Sequence, residues 1–222
     1  MASPIVLTKT LAAAISNGIA LSQSPGAAAL TLNGSTVTAG VATLDTARRV
    51  ILTSGGNDSA ITFTIVGTNS TGNGQTDVIS GTNGGVAQSV LDFATVSSIT
   101  PSAAIASTII AGTNTVGSTP WIPLNWHATS VMNVGFAVEL ASGAANYTVQ
   151  HTYDDPNNTQ NLTVYGLVAG ESFQSLPFNH PVVQNVSATL DGSYVTPIAA
   201  IRLLINSGTG LLRFRVLQSS IG

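Results

Sequence analysis

Residues 48–69, RRVILTSGGNDSAITFTIVGTN, constrain the fold more than any other segment of this chain. Two stretches rich in β-branched and apolar residues flank a cluster of Gly, Ser, Asn and Asp, which are turn-forming residues. In the second stretch Ile61, Phe63 and Ile65 alternate with other residues, and a period of two places them on one face of a strand. The segment therefore predicts a β-hairpin in which that face is buried.

The same alternation of short β-prone segments and turn clusters continues on both sides of this segment. Turn clusters such as STGNG and GTNGG separate the β-prone segments as far as residue 117, and no long helical pattern interrupts them. The dipeptides Asn33-Gly34 and Asp191-Gly192 are strong hairpin signals, and Gly40 indicates a bulge or break in a strand. This pattern is typical of a β-sandwich or a β-barrel.

The domain organisation follows from the chain length and from one change in composition. With 222 residues the chain is long enough for two domains that each bury a core. The segment STPWIPLNWH, beginning at residue 118, holds two prolines and both tryptophans, which favours a junction there. We therefore predict an all-β fold with two antiparallel β-sandwich or jelly-roll-like domains, residues 25–117 and 118–222.

Residues 1–24 carry a weaker β signal than the rest of the chain. The stretch TLAAAI is compatible with one or two helical turns, and SNG is a plausible helix end. We predict an N-terminal arm that is extended or briefly helical and lies outside the core, with a first edge strand as the alternative. The opening lacks a basic region ahead of its apolar part, so no signal peptide is predicted, and no apolar run predicts a membrane-spanning helix.

The chain carries very few charges. Charged residues make up 7% of the sequence, and the net charge of −3 includes only six cations, so we predict no electrostatic binding of nucleic acid. We expect the arginine pairs Arg48–Arg49 and Arg213–Arg215 to lie on exposed strand faces, with a phosphate site as the alternative. A surface so poor in charge is weakly protected against association, which favours a protein covered by neighbouring subunits.

Residues with reactive side chains are scarce and scattered. There is no cysteine, no G-x-S-x-G motif and no phosphate-binding loop. His127, His151 and His180 are far apart in sequence, so only folding could join them into a metal site. Asp154 and Asp155 begin the run DDPNN, which we interpret as a turn, with loose calcium ligation as the alternative. We predict no catalytic, cofactor or metal site, and a protein that is not an enzyme.

Several segments of the chain resemble structural proteins of tailed-phage virions. The resemblance rests first on TARRVILTSGGNDSAITFTIVGTNSTGNGQTDVISGTNGGVAQSVLDFATVSSIT, which is similar to a β module that recurs in such proteins. It rests further on PWIPLNWH, on YTVQHTYDDP and on the ending AIRLLINSGTGLLRFRVLQ. Together these segments cover most of the chain beyond residue 24, and they contain no catalytic residues.

The resemblance implies a structural component of the virion. The expected role is a capsid decoration or cement protein, which stabilises the shell through repeated subunit contacts. Its partners would be copies of itself and the major capsid protein or other virion proteins, without nucleic acid or membrane. Neck and tail components are the alternative. The candidate contact residues are Ile5, Val6 and Leu7 in the arm, together with Trp121 and Trp126.

A binding module for a carbohydrate or a receptor is the second function that the sequence allows. Trp121, Trp126 and Tyr153 would then serve as platforms on which a ligand stacks. Exposed aromatic rings beside Asn or Asp would favour this function, whereas buried rings would exclude it.

Overall fold

The computed structural model describes residues 5–105, 107–125, 133–156 and 175–218. In these ranges the chain forms β-strands joined by turns and loops, and it contains no helix that could cross a membrane. The strands are β1 (Ile5–Thr10), β2 (Ala20–Gln23), β3 (Val37–Thr38), β4 (Val41–Ser54), β5 (Thr62–Thr68), β6 (Gly74–Ser80), β7 (Val86–Pro101), β8 (Ile109–Ser118), β9 (Ile122–Pro123), β10 (Val134–Ser142), β11 (Ala145–Thr152), β12 (Phe178–Asn179), β13 (Leu190–Tyr194), β14 (Ala200–Gly208) and β15 (Leu211–Gln218).

The predicted all-β class is confirmed, and the strand pairs within each part of the molecule are antiparallel. The chain divides into two compact units. The early unit is Ala13–Gly117, and the late unit combines residues 5–12 with the described residues from Ser118 onward.

The early unit is built on a sheet in which the strands follow the order β8-β4-β7-β5-β6. Strand β2 pairs with β8, and β3 pairs with β4. The unit has its own apolar core, whose largest fully buried side chains include Phe63 and Phe93. The long strands β4 and β7 form the centre of the sheet, and they bury apolar side chains such as Val50, Leu52 and Val96.

The segment 48–69 forms two strands as predicted, but they do not form a hairpin. Ile61, Phe63 and Ile65 are buried, which confirms the predicted face. However, β7 lies between β4 and β5 and pairs with both of them. The local pattern identified the strands correctly, whereas their pairing depends on a strand that follows later in the sequence.

Both the Asn-Gly and the Asp-Gly hairpin predictions are wrong, and each of these glycines is instead found where the chain packs closely. A Cβ atom on Gly34 would lie 2.1 Å from the carbonyl oxygen of Gly18, and one on Gly192 would lie 2.5 Å from the ring of Phe136. Gly192 lies inside β13 rather than at a turn. The tight turn between β3 and β4 is instead formed by Ala39 and Gly40, which both have positive φ.

The late unit is a β-sandwich. One sheet has the order β1-β15-β10-β13, and the other has the order β12-β11-β14, with β9 also paired to β14. A single core takes side chains from both sheets, which shows that the two sheets pack face to face. It includes Phe136 and Phe214 from the first sheet, and Tyr147, Val149 and Leu203 from the second.

The prediction of an arm outside the core is wrong, and the alternative of a first edge strand is correct for its first part. Residues 5–10 form β1, which pairs along its whole length with β15. Leu7 packs against the late core, and Leu11 is buried in it. Ile19 and Ala20 are buried in the early core. Part of this segment therefore belongs to the two cores, whereas Ile5 and Val6 remain exposed.

Candidate functional site

Strand β1 gives the late unit an apolar outer edge. Ile5 and Val6 are 44% and 49% exposed, and Leu217 near the end of β15 is 49% exposed. Leu7 lies on the same face of the strand as Ile5, and it is partly buried against the late core. Ile5 and Val6 are therefore the accessible contact candidates on this strand, whereas Leu7 is partly covered by the core.

The outer face of the same sheet carries a small ionic network. Arg213 and Arg215 both donate to Glu139, at 3.1 and 2.6 Å, and their side chains are 40% and 43% exposed. The hydrogen bond from Arg215 is the largest influence that lowers the pKa of Glu139 below its ordinary value. The exposed strand face predicted for these two arginines is confirmed, and both arginines on it are paired with the carboxylate of Glu139.

The other arginine pair is not on an exposed face, so that prediction is wrong for Arg48. Its side chain is 2% exposed, and it donates to Asp45 at 3.0 Å and to the carbonyl of Asn114. Arg49 is 24% exposed and pairs with Asp92 at 2.6 Å. The register between β4 and β7 shifts on both sides of this pair, which breaks the strict alternation of inward and outward side chains.

Trp121 is half-buried, and a basic side chain covers one side of its ring. The guanidinium carbon of Arg202 lies 4.5 Å from the ring centroid, a cation–π distance. Arg202 also donates to Gln150 at 2.9 Å, and Gln150 donates to Asn179 at 2.9 Å. Through Arg202 and these hydrogen bonds, Trp121 is connected to strands β14, β11 and β12. The second tryptophan candidate, Trp126, lies outside the described residues.

Two aromatic rings are exposed at one end of the sandwich. Tyr153 is 60% exposed and Phe178 is 42% exposed, and their ring centroids lie 5.5 Å apart with the planes inclined at 66°. Both rings contact His151, with centroid separations of 5.5 and 5.7 Å. Tyr153 and Phe178 thus form an exposed ring pair that rests on a buried imidazole.

Beneath the exposed ring pair, two histidines join an aromatic cluster that extends into the core. Nδ1 of His151 lies 3.1 Å from the hydroxyl of Tyr194. The ring of His180 meets the rings of Phe136 and Tyr194 edge-on, with both centroid separations at 5.0 Å. Because β11, β13 and β10 all contribute, folding alone brings these residues together.

His180 is fixed by the backbone that follows it. Its Nδ1 atom accepts hydrogen bonds from the amides of Val182 and Val183, at 3.2 and 3.0 Å. Nδ1 must therefore be unprotonated, and the imidazole is held in its neutral form. A proton on Nδ1 would point at two other donors, which would break both hydrogen bonds.

Burial lowers the pKa of both histidines. Desolvation is the largest influence on the pKa of His151, and the nearby His180 lowers it further. Desolvation also lowers the pKa of His180, against a hydrogen bond to the Ser193 backbone that raises it. In the described part of the chain neither imidazole forms an ion pair with a carboxylate that would favour the charged form.

The sequence indicated this cluster only in part. In YTVQHTY, His151 and Tyr153 are two residues apart, so one strand places them on the same face. The sequence could not place Phe178 and His180 beside them. At least 26 residues separate β12 and the bend after it from the positions on β11 with which they pair. The distances in sequence between the histidines were therefore a poor guide to their distances in space.

The acidic turn after β11 is held by one local and one long-range hydrogen bond. The Asp154 amide donates to Oγ1 of Thr152 at 3.1 Å, and Oδ2 of Asp154 accepts from the Leu176 amide at 2.8 Å. Asn157 and Asn158 lie outside the described residues. Across the described ranges, no group of three or more His, Asp or Glu side chains is arranged to hold a metal ion.

Comparison with known proteins yields little. No protein-family model matches the sequence, and no curated protein matches it. Among solved structures, the major capsid protein P2 from bacteriophage PM2 matches over 96% of both chains, with 11% sequence identity and a TM-score of 0.24. A TM-score this low does not indicate a shared fold, so it supports no statement about this chain.

Proposed function

We propose that this protein is a structural component of a tailed-phage particle, in the form of a capsid decoration or cement protein that binds copies of itself and other virion proteins. The segments that resemble virion proteins support the class, and the low content of charged residues supports a subunit whose surface is covered. Neck or tail components are the alternative position. The proposal includes no catalytic activity and no cofactor.

The apolar outer edge formed by β1 is the observation that carries the proposal. An edge strand with exposed Ile5 and Val6 would be an aggregation hazard in a free subunit, and it becomes a contact when a neighbour covers it. Each square ångström of apolar surface buried there contributes roughly 25 cal/mol. A stable interface buries about 800 Å² on each partner, so β1 would supply only part of it.

Val6→Asp is expected to weaken incorporation of the protein into particles, because a carboxylate would be buried in the contact. Thr8→Asp is a matched control, since Thr8 is exposed on the same strand, and each position lies opposite an arginine, Arg215 or Arg213. Incorporation is measured by mass spectrometry of purified particles from cells that produce each variant. We expect a loss of about tenfold for Val6→Asp and little change for Thr8→Asp. Equal incorporation of the two variants would refute a contact through Val6.

Binding of a surface saccharide is a second candidate function, and the exposed ring pair Tyr153–Phe178 favours it. Two inclined, accessible rings offer faces on which a sugar can stack, and Asp154 follows Tyr153 directly. Trp121 fits this role less well, because Arg202 lies over its ring.

A glycan array separates this candidate from the assembly proposal. If the ring pair binds saccharides, the wild-type chain should bind at least one glycan on the array, and Tyr153→Ala should abolish that binding. Val6→Asp serves as the control that should leave it unchanged. Binding that survives Tyr153→Ala would exclude the ring pair as the site.

A further inference from the structure

Residues 178–183 are attached to the late unit through the pairing of β12, through the burial of Val183 in the late core and through several contacts of His180. Strand β12 has only two residues, which pair with β11. The His180 amide donates to the Val149 carbonyl at 2.8 Å, and the Val149 amide donates to the Val183 carbonyl at 2.9 Å. The remaining described contacts of the His180 side chain are its hydrogen bonds to the backbone and its two edge-on ring contacts.

We propose that His180 and His151 form an acid-sensitive latch, which holds residues 178–183 against the sandwich and releases them as the pH falls. In the closed state Nδ1 of His180 accepts two amide hydrogen bonds, and Nδ1 of His151 meets the Tyr194 hydroxyl. Protonation of His180 would turn that acceptor into a donor facing two donors. The latch goes beyond the proposed structural role and does not depend on it.

Among the described contacts of the two histidines there is no carboxylate, and the Ser193 backbone is the one group that favours a charged imidazole, at His180. His151 faces Tyr153 from its own strand, Phe178 from β12 and Tyr194 from β13. His180 faces Tyr194 and, from β10, Phe136. The titratable neighbours are thus tyrosines and the other histidine, and burial raises the pKa of Tyr194 well above its usual range. Protonating one histidine therefore makes protonation of the other harder while the latch stays closed.

The sign of the pH dependence follows from the lowered pKa of each histidine. In the open state both side chains contact water and take protons near their ordinary pKa, about 6.5. In the closed state they take protons only at lower pH. The closed state is therefore fully favoured above about pH 6.5 and loses stability as the pH falls below it. Each histidine can raise the opening equilibrium by up to about tenfold per pH unit in that range.

Opening would change the surface that the unit presents. Phe178 belongs to the segment that the latch holds, and its ring forms the exposed pair with Tyr153. Releasing residues 178–183 would separate the two rings and expose His151 beneath them. The latch therefore couples the pH to the presence of the exposed ring pair.

Amide hydrogen exchange of the full chain, measured by NMR between pH 5 and pH 7.5, tests the latch. The rates are converted to protection factors, which removes the intrinsic pH dependence of exchange. The protection factors of the Val182 and Val183 amides are expected to fall by about tenfold or more between pH 6.5 and pH 5.5. The Thr119 amide, which donates to the Leu203 carbonyl, is the internal control and should keep its protection.

Asparagine at both histidine positions provides the matched variant. Its side-chain oxygen can accept the same amide hydrogen bonds two and three residues further along, but it does not titrate in this range. In the His151→Asn/His180→Asn variant, the protection of Val182 and Val183 should change by less than about twofold over the same interval. Constant protection in the wild-type chain would overturn the latch whether or not the variant folds. An unchanged pH dependence in a folded variant would overturn it as well.

Discussion

Replacing Arg48 with alanine is expected to lower the free energy of unfolding of the early unit by about 3–5 kcal/mol. The side chain is 2% exposed, so its removal leaves a cavity and deprives the Asn114 carbonyl and the Asp45 carboxylate of their donor. The measurement is urea denaturation followed by circular dichroism, with the change in midpoint converted through the slope. An unchanged midpoint would show that Arg48 is not buried as described.

Two further variants separate the charge of Arg48 from its volume. Arg49→Ala removes an arginine that is 24% exposed, and we expect a loss of only about 1 kcal/mol. Arg48→Met keeps much of the volume, and the Asp45 side chain is 29% exposed and can turn to water. Arg48→Met should therefore cost about half as much as Arg48→Ala. Equal losses for the two Arg48 variants would assign the whole effect to the charge.

Gly67→Ala is expected to destabilise the early unit by about 3 kcal/mol, because no space exists for a methyl group. A Cβ atom at this position would lie 1.9 Å from the carbonyl oxygen of Thr95, and β5 shifts register against β7 at this residue. The backbone of one strand would have to move, with loss of pairing in the centre of the sheet. Thermal unfolding followed by circular dichroism measures the effect.

The matched control for this substitution lies at the start of β6. Gly74 pairs with Thr68 at the end of β5, and a Cβ atom there would contact nothing within 4 Å. Gly74→Ala should therefore leave the unfolding temperature within about 2 °C of the wild-type value. A similar loss for both variants would mean that the cost arises from replacing a strand glycine in general, and not from the contact with Thr95.

Local patterns in the sequence predicted strands and their buried faces well. Ile61, Phe63 and Ile65 are buried because a period of two is a property of the extended backbone alone. Likewise, Phe214 and Val216 face the core while Arg213 and Arg215 face outward. These features depend on a few consecutive residues, so they can be read from the chain directly.

The pairing of strands and the burial of polar side chains could not be predicted from local patterns. Strand β7 separates β4 from β5, although β4 and β5 are consecutive in the chain. Gly34 was expected in a hairpin turn, but it lies where its backbone closely approaches Gly18. Arg48 is buried because the register of β4 against β7 is irregular. In each case the deciding neighbour is distant in sequence, and residue type alone does not identify it.

In the candidate site, too, the features that depend on local sequence were predictable, and those that depend on distant segments were not. Ile5 and Val6 were identified from their apolar character, and they are exposed as a contact residue must be. The aromatic cluster was missed because its members come from β10, β11, β12, β13 and the bend after β12. Of its members, Tyr153 was named as a possible ligand platform, and His151 and His180 were named only as distant metal-ligand candidates. Phe178, which completes the exposed ring pair, had no distinguishing sequence signal.

Immunogold electron microscopy of purified phage particles that encode this chain tests the central claim most directly. Antibodies against the folded protein are applied to intact particles, and the positions of the gold label are averaged over many particles. A capsid decoration or cement protein predicts label distributed regularly over the shell. Label confined to the neck or tail would show that the protein is a neck or tail component and not a capsid decoration protein. Intact particles without any label would contradict a role in the virion.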